Sequence, residues 1–148
     1  MRTPYLPALD IGGPHLAEHG TFWRYCAQGE LRFQRCAGCG AYRHPPAPLC
    51  PRCRSAQVHW ELASDDAELF SYTIVHHAAS AALKDAVPYN VAIVAFPSLG
   101  SLRIVSNVID AAPADLRIGM PLGLVWQRVA KDRQLPLFRK RPPQAAKR

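Results

Sequence analysis

The chain has 148 residues, a mass of 16.4 kDa and a formal charge of +7. That length suits one domain, or two very small ones sharing a core. Its longest apolar runs, such as Val91 to Phe96, are too short to span a bilayer, and the N-terminus lacks a signal-peptide run, so a cytoplasmic protein is expected.

The charge is unevenly placed. Residues 24–54 carry six arginines against Glu30, and residues 126–148 carry eight bases against Asp132. Between them, residues 55–125 hold seven acids against Lys84, Arg103 and Arg117. The excess therefore sits in a cysteine-rich segment and a C-terminal tail, around an acidic middle.

Residues 1–13 hold Pro4, Pro7 and Gly12-Gly13 and predict an irregular arm. A helix is predicted from about Pro14 to Gln28, with Pro14 at its first position and Gly29 as its stop. Leu16, Trp23 and Cys26 share one face, with His19 and Phe22 alongside. Two readings of Phe22 and Trp23 stay open: packing on the protein's own core, or facing a partner. Cys26 reads as a small buried hydrophobe.

Four of the five cysteines form Cys36-x2-Cys39-x10-Cys50-x2-Cys53. Each Cys-x2-Cys makes a tight knuckle that aims two sulfurs at one ion. Gly40 can take positive φ just after its pair. Two knuckles supply four soft thiolates in a tetrahedron, which suits Zn(II), although iron also accepts this ligand set. Disulfides would pair poorly within a knuckle, and a redox motif would need a thioredoxin-like βαβ setting. Four cysteines close the coordination shell, so the zinc should be structural. Four thiolates around Zn(II) leave −2, which lowers the net charge from +7 to +5. Some nearby arginines are expected to neutralise sulfur.

Short strands are predicted at 31–35 and near 57–62, where Val58, Trp60 and Leu62 alternate with His59 and Glu61. A proline-rich loop with Pro45, Pro46 and Pro48 separates the knuckles. Four further β-like runs follow at 69–77, 90–97, 102–110 and 122–130, with turn signals at 97–100 and 112–115. This rhythm suggests a barrel of about five strands such as an OB-fold. The alanine-rich 78–88 segment should be a loop or short helix at the barrel mouth. The fold class expected is mainly β: an N-terminal arm and helix over 1–29, a zinc ribbon over 30–62, a barrel over 63–139 and a disordered basic tail over 140–148.

In this order, the chain resembles the bacterial and archaeal acyl-CoA-associated zinc-ribbon/OB-fold proteins, a family long known only as a domain of unknown function. The residues that carry the resemblance begin with Phe22-Trp23, Gly29-Glu30-Leu31 and Gln34-Arg35-Cys36-x2-Cys39-Gly40. They continue with Pro45-Pro46, Cys50-Pro51-x-Cys53, Ser71-Tyr72-Thr73-x-Val75-His76, Pro88-Tyr89 and Ser106-Asn107. They end with 115–121 and 135–139. The resemblance implies a helix, a rubredoxin-like ribbon and an OB-fold. It implies an accessory subunit of thiolase-superfamily aldolases, thiolases and acyltransferases, or of MaoC-type enoyl-CoA hydratases, that supports the partner and shapes an acyl-CoA channel. Where the family often has a glycine-bearing turn, this chain has Ser64-Asp65-Asp66-Ala67.

Three functions compete. The first is a non-catalytic zinc-binding subunit with a ligand or partner surface at Phe22, Trp23, His76, His77, Tyr89, Arg103, Asn107, Arg117 and Arg139. Among these, Arg103, Arg117 and Arg139 are the candidates for CoA phosphates. The second is a single-stranded nucleic-acid module, for which Phe70, Tyr72, Phe96 and Trp126 are the stacking candidates. It is disfavoured by the acidic barrel segment. The third is an autonomous hydrolase or lyase using His76 as general base with Asp65, Asp66, Glu68 or Asp85.

Overall fold

The computed structural model describes residues 5–6 and 17–142. The predicted helix start at Pro14, most of the arm and the tail beyond Pro142 lie outside the described residues. Helix α1 spans Ala17–Ala27. Glu18 lies in its first turn and Arg24 in its last, matching the helix dipole. Its end is a Schellman motif. Gly29 takes φ 78°, the Glu30 N–H reaches the Tyr25 carbonyl at 3.0 Å, and the Gly29 N–H reaches Cys26 at 3.0 Å.

The ribbon is a three-stranded antiparallel sheet in the order β2-β1-β3, built from β1 (Arg32–Cys36), β2 (Tyr42–Arg43) and β3 (Val58–Leu62). Strand β2 lies in what the sequence presents as a proline-rich loop. The alternation expected in β3 fails at Leu62, its last residue, which is 56% exposed.

The barrel follows with β4 (Glu68–Val75), β5 (Tyr89–Phe96), β6 (Leu102–Ser106), β7 (Val108–Ile109), β8 (Leu122–Ala130) and β9 (Arg133–Lys140). One sheet runs β4-β5-β6 and another β7-β9-β8. β7 pairs parallel with β9, and β8 antiparallel with it. β4 is tied to the entry of β8 by a bridge from Glu68 to Pro121 and by the Leu122 N–H on the Ala67 carbonyl at 2.8 Å. The result is a mostly β chain with one helix, a ribbon and an OB-type barrel. Segment 78–88 holds a short 3₁₀ turn at Ala81–Leu83 that buries Leu83.

Two strands differ from expectation. The 102–110 run is broken at Asn107, where the chain leaves one sheet and joins the other. β9 is not signalled by its sequence, since Pro136 sits in its middle and removes a ladder donor. It runs on through Lys140, and Arg141 is held by its N–H on Pro121 (3.0 Å) and its guanidinium on Asp65 (2.5 Å), so order continues past the predicted start of the tail. At Ser64–Ala67, the Ser64 hydroxyl donates to Asp66, and Asp66 accepts the Ser98 N–H at 2.7 Å. Side-chain acceptors shape this turn without glycine. Burial works to raise the Asp66 carboxyl, but these hydrogen bonds outweigh it and hold it low.

A single core joins the parts. Phe33 of β1 packs edge-on to Phe96 of β5 at 5.2 Å, and Phe96 to Phe138 of β9 at 6.2 Å; all three are buried. Asn90, 3% exposed, repairs the break between β6 and β7. Its carboxamide accepts the Val108 N–H at 2.8 Å and donates to the Val108 carbonyl at 2.7 Å. It thereby stands in for a backbone rung. Asn90→Ala leaves both backbone groups buried and unpaired, a cost of about 2–4 kcal/mol. Urea denaturation of the variant should show that loss, and a change below about 0.5 kcal/mol would contradict the role given to Asn90.

Candidate metal centre and surrounding surface

The four ribbon cysteines converge. Their sulfurs all lie within 4.8 Å of one another, with Cys36 to Cys53 at 3.4 Å and Cys39 to Cys50 at 3.6 Å. Tetrahedral coordination with Zn–S bonds of about 2.3 Å places sulfurs about 3.8 Å apart, so these residues fit one zinc. The two knuckles are built alike. The Gly40 N–H bonds the Cys36 carbonyl at 2.9 Å, and the Arg54 N–H bonds Cys50 at 2.8 Å. The Cys36 N–H reaches Ala41 and the Cys50 N–H reaches Ser55, both at 2.9 Å. Both turns need positive φ after the second cysteine: Gly40 has 73°, and Arg54 adopts 62° despite its side chain. Backbone N–H groups prepare two of the thiolates, Cys36 and Cys50. That of Cys39 draws the Cys36 thiol down to about 6, and those of Cys53 and Arg52 lower Cys50.

Three of the ribbon arginines, Arg32, Arg35 and Arg43, are engaged away from the sulfurs. Arg32 pairs with Glu30 (2.5 Å) and Arg35 with Glu61 (3.0 Å). Arg43 is buried, with Nε on Gln34 at 2.9 Å and on the Ala47 carbonyl at 3.1 Å. Glu61 is kept ionised first by the Tyr42 hydroxyl and then by Arg35. The arginines thus lace the ribbon strands together. Cys26 is fully buried, and burial pushes its thiol up to about 12. It is a core residue, apart from the four-sulfur cluster.

Phe22 and Trp23 part ways. Phe22 is 5% exposed in the core, beside His44 at 5.0 Å. Trp23 is half-buried, edge-on to Phe22, on the wall of a groove of about 400 Å³. The groove also takes in Arg103 to Asn107 and Leu135 to Leu137. Leu135 to Leu137 are reached only through β9, which Pro136 conceals in the sequence.

The remaining candidates are dispersed. Arg103 is exposed and stacks over Phe70 at 3.6 Å. Arg139 lines a different cleft, of about 460 Å³, 3.8 Å from Asp110. Arg117 rests on the Ala114 and Leu116 carbonyls at 2.6 and 2.8 Å. The three arginines therefore do not form one phosphate site. Asn107 donates to the Asn90 carbonyl and braces the β6–β7 break. Tyr89 is half-buried opposite Val75. His76 and His77 are exposed just past β4, and no hydrogen bond or ion pair joins His76 to an acid among the described residues. Of the stacking candidates, Phe96 is buried, Tyr72 and Trp126 are half-buried, and only Phe70 is exposed. No helix of the described residues is long and apolar enough to cross a membrane.

The zinc should hold the ribbon fold. Native mass spectrometry should find one zinc per chain, lost in Cys36→Ser and kept in Cys26→Ala. Chelation should melt the ribbon, since such sites contribute roughly 10–16 kcal/mol of apparent binding energy. A zinc-free chain with intact near-UV dichroism would contradict this. His44 generates a second expectation. Burial, and then neighbouring His19, press it from the usual 6.5 down to about 4. The unfolded chain takes up the proton near 6.5 and the folded one only near 4. Stability is therefore full above pH 6.5 and falls toward pH 4, by at most about 3 kcal/mol. His44→Phe keeps the packing against Phe22 and Phe33 and should flatten that slope. Urea titrations at pH 7.5 and 5.5, with zinc content verified, would read it.

Comparison with known proteins agrees with this architecture. Residues 23–59 match the family model "ChsH2, rubredoxin-like zinc ribbon domain", and residues 60–127 match "ChsH2, C-terminal OB-fold domain". A "DUF35 domain-containing scaffold protein" of Methanocaldococcus jannaschii is 33% identical over 110 residues, covering 74% of this chain and 73% of that protein. A "Probable enoyl-CoA hydratase alpha subunit" of Thermomonospora curvata is 36% identical over 132 residues, or 88% of this chain. The chain spans only 40% of that relative's length. Among solved structures, a chain of the "Ltp2-ChsH2(DUF35) aldolase" is 33% identical with a TM-score of 0.76, over 86% of this chain and 98% of that one. A DUF35 protein of unknown function from Sulfolobus solfataricus shares the fold, with 16% identity and a TM-score of 0.61 over 84% of this chain and 86% of that one. With both of its domains and nearly its whole described length matched in this way, the chain belongs to the ChsH2-type zinc-ribbon/OB-fold family, DUF35.

Proposed function

We propose that this protein is a non-catalytic, zinc-stabilised accessory subunit in the cytoplasm that docks on and supports an acyl-CoA-processing enzyme of thiolase fold. One observation carries this reading: the likeness to a chain of an aldolase complex extends over 98% of that chain. The scaffold names of the archaeal relatives support it. The partner supplies nucleophile and acid/base groups. This subunit contributes a rigid body: a ribbon clamped by metal and a barrel fused to it through one core. It also contributes part of the wall of an acyl-CoA channel.

A second reading, a MaoC-type enoyl-CoA hydratase as partner, is favoured by the Thermomonospora relative's name. Both readings place the chemistry elsewhere. The nucleic-acid alternative lacks a row of exposed aromatics and asks phosphates to track a barrel segment rich in acids.

Affinity purification of the tagged chain, co-expressed in turn with a thiolase-like and a hydratase-like acyl-CoA enzyme from the same organism, tests this directly. A stoichiometric complex is expected, with acyl-CoA turnover by the complex and none by this chain alone. His76→Ala should leave that turnover within about two-fold. Turnover by the isolated chain that disappears in His76→Ala would reverse the assignment.

A further inference from the structure

The barrel is not closed all the way round. β6 is bonded to β5 alone, and Arg133 to Leu137 of β9 are bonded to β8 alone, because β7 meets β9 only at Phe138 and Arg139. Among the described residues, no backbone hydrogen bond crosses from β6 to β9. The Phe138 N–H on the Asn107 carbonyl, at 3.0 Å, marks where the sheet closes. Beside it, one side-chain contact spans the gap: the Ser106 hydroxyl on the Pro136 carbonyl, at 2.7 Å. Pro136 has no N–H to offer β6, so the seam cannot zip further.

The groove of about 400 Å³ lies on this seam. One wall is the edge of β6, and the other is Leu135 to Leu137. A strand edge with unpaired backbone groups is a template for an added strand. The side chains around it are mostly apolar, with Val105 67% exposed and Trp23 half-buried, beside His44, Ser106 and Asn107. Arg103 brings the charge. In the free chain its guanidinium rests on Phe70 of β4, across β5 from the open edge, and has no ion pair among the described residues, so swinging to the edge breaks none, whereas Arg32, Arg35, Arg139 and Arg141 each have an acid. Edge, apolar walls and one unneutralised guanidinium together describe the complement: an extended, apolar peptide segment with one carboxylate. A nucleic-acid strand would find a single base along this edge.

We propose that the open seam between β6 and β9 receives an extended segment of the partner protein, added as a strand along β6, with a carboxylate of that segment on Arg103 and an apolar side chain over Trp23. The proposal rests on the accessory-subunit reading for the existence of a partner, and adds the surface and the chemistry that recognises it.

Amide hydrogen exchange on the full chain, free and in the co-purified complex, tests it. Peptides covering 102–106 and 133–137 should exchange about ten-fold more slowly in the complex. Arg103→Glu should weaken the complex about ten-fold or more, with zinc content and far-UV dichroism unchanged, while Arg103→Lys keeps most of the affinity. If a complex forms but protection falls elsewhere, or Arg103→Glu binds like the wild type, the seam is not the docking site and the accessory reading stands. If neither candidate enzyme binds, the accessory reading fails and this proposal with it. Protection of the same peptides by coenzyme A alone, or by raising the concentration of the chain alone, would assign the seam to a small molecule or a second copy and overturn the proposal.

Discussion

At Phe33 and Gln34, strand β1 is buried on both faces, and the rest of the molecule takes its position from that. An antiparallel ribbon strand normally shows one face to water. Here Phe33 and Gln34, adjacent in sequence and opposite in direction, are both about fully buried. Phe33 enters the barrel core against Phe96, where burying such a ring contributes about 1.5–3 kcal/mol. Gln34 turns into the ribbon, where its side-chain oxygen accepts from Arg43 Nε and from the Ala47 N–H at 2.8 Å. Cys36, at the end of the same strand, begins the metal centre. One five-residue strand thus fixes the barrel, the proline loop and the zinc knuckles relative to one another.

This geometry explains how charge is used. A buried arginine is costly unless its donors find acceptors, and Arg43 Nε and Nη2 find a carboxamide and a carbonyl in place of an acid, while Nη1 is buried without a partner. The Cys36 and Cys50 thiolates, for their part, are met by backbone N–H groups, and a bound zinc would supply the positive charge. The ribbon therefore needs no arginine at the metal. Its cations are free to join strands, as Arg35 does with Glu61 and the Tyr42 ring. Of the six arginines of residues 24–54 behind a positive total that suggests a phosphate-binding surface, half, Arg32, Arg35 and Arg43, are internal wiring of the ribbon.

What the sequence makes legible follows from how local each cause is. The Cys-x2-Cys spacing, the Gly29 stop and the Gly40 turn are set within a few residues, and each is found where its chemistry puts it. Arg54 has the backbone of Gly40 without its residue type, because the symmetry of the two knuckles, not intrinsic preference, imposes φ 62°. The Asp66 turn likewise replaces a glycine with a hydrogen bond to Ser98, thirty-two residues away. The break at Asn107 is invisible locally, since the compensating carboxamide belongs to Asn90. The surface candidates fare worst. Arg103, Arg117 and Arg139 look alike in sequence, but one stacks on an aromatic ring, one caps a turn and one lines another cleft.

Pro136 links the limit of sequence reading to the character of the fold. It hides β9 because proline argues against a paired strand, yet β9 is paired on its β8 side through a register that includes Trp126 opposite Pro136. The missing donor is therefore felt on the other side, toward β6. A barrel removes exposed edges by closing, and a barrel that stops short keeps them. Helix α1 covers part of the opening, where the Gln134 side chain donates to the Ala27 carbonyl at 3.0 Å. It leaves β6 uncovered next to Arg103 and Trp23. An edge of this kind is a hazard in a protein that works alone, because it pairs with any strand it meets. In a protein built to hold another it is a means of attachment, and the proline that prevents self-closure is what keeps it available.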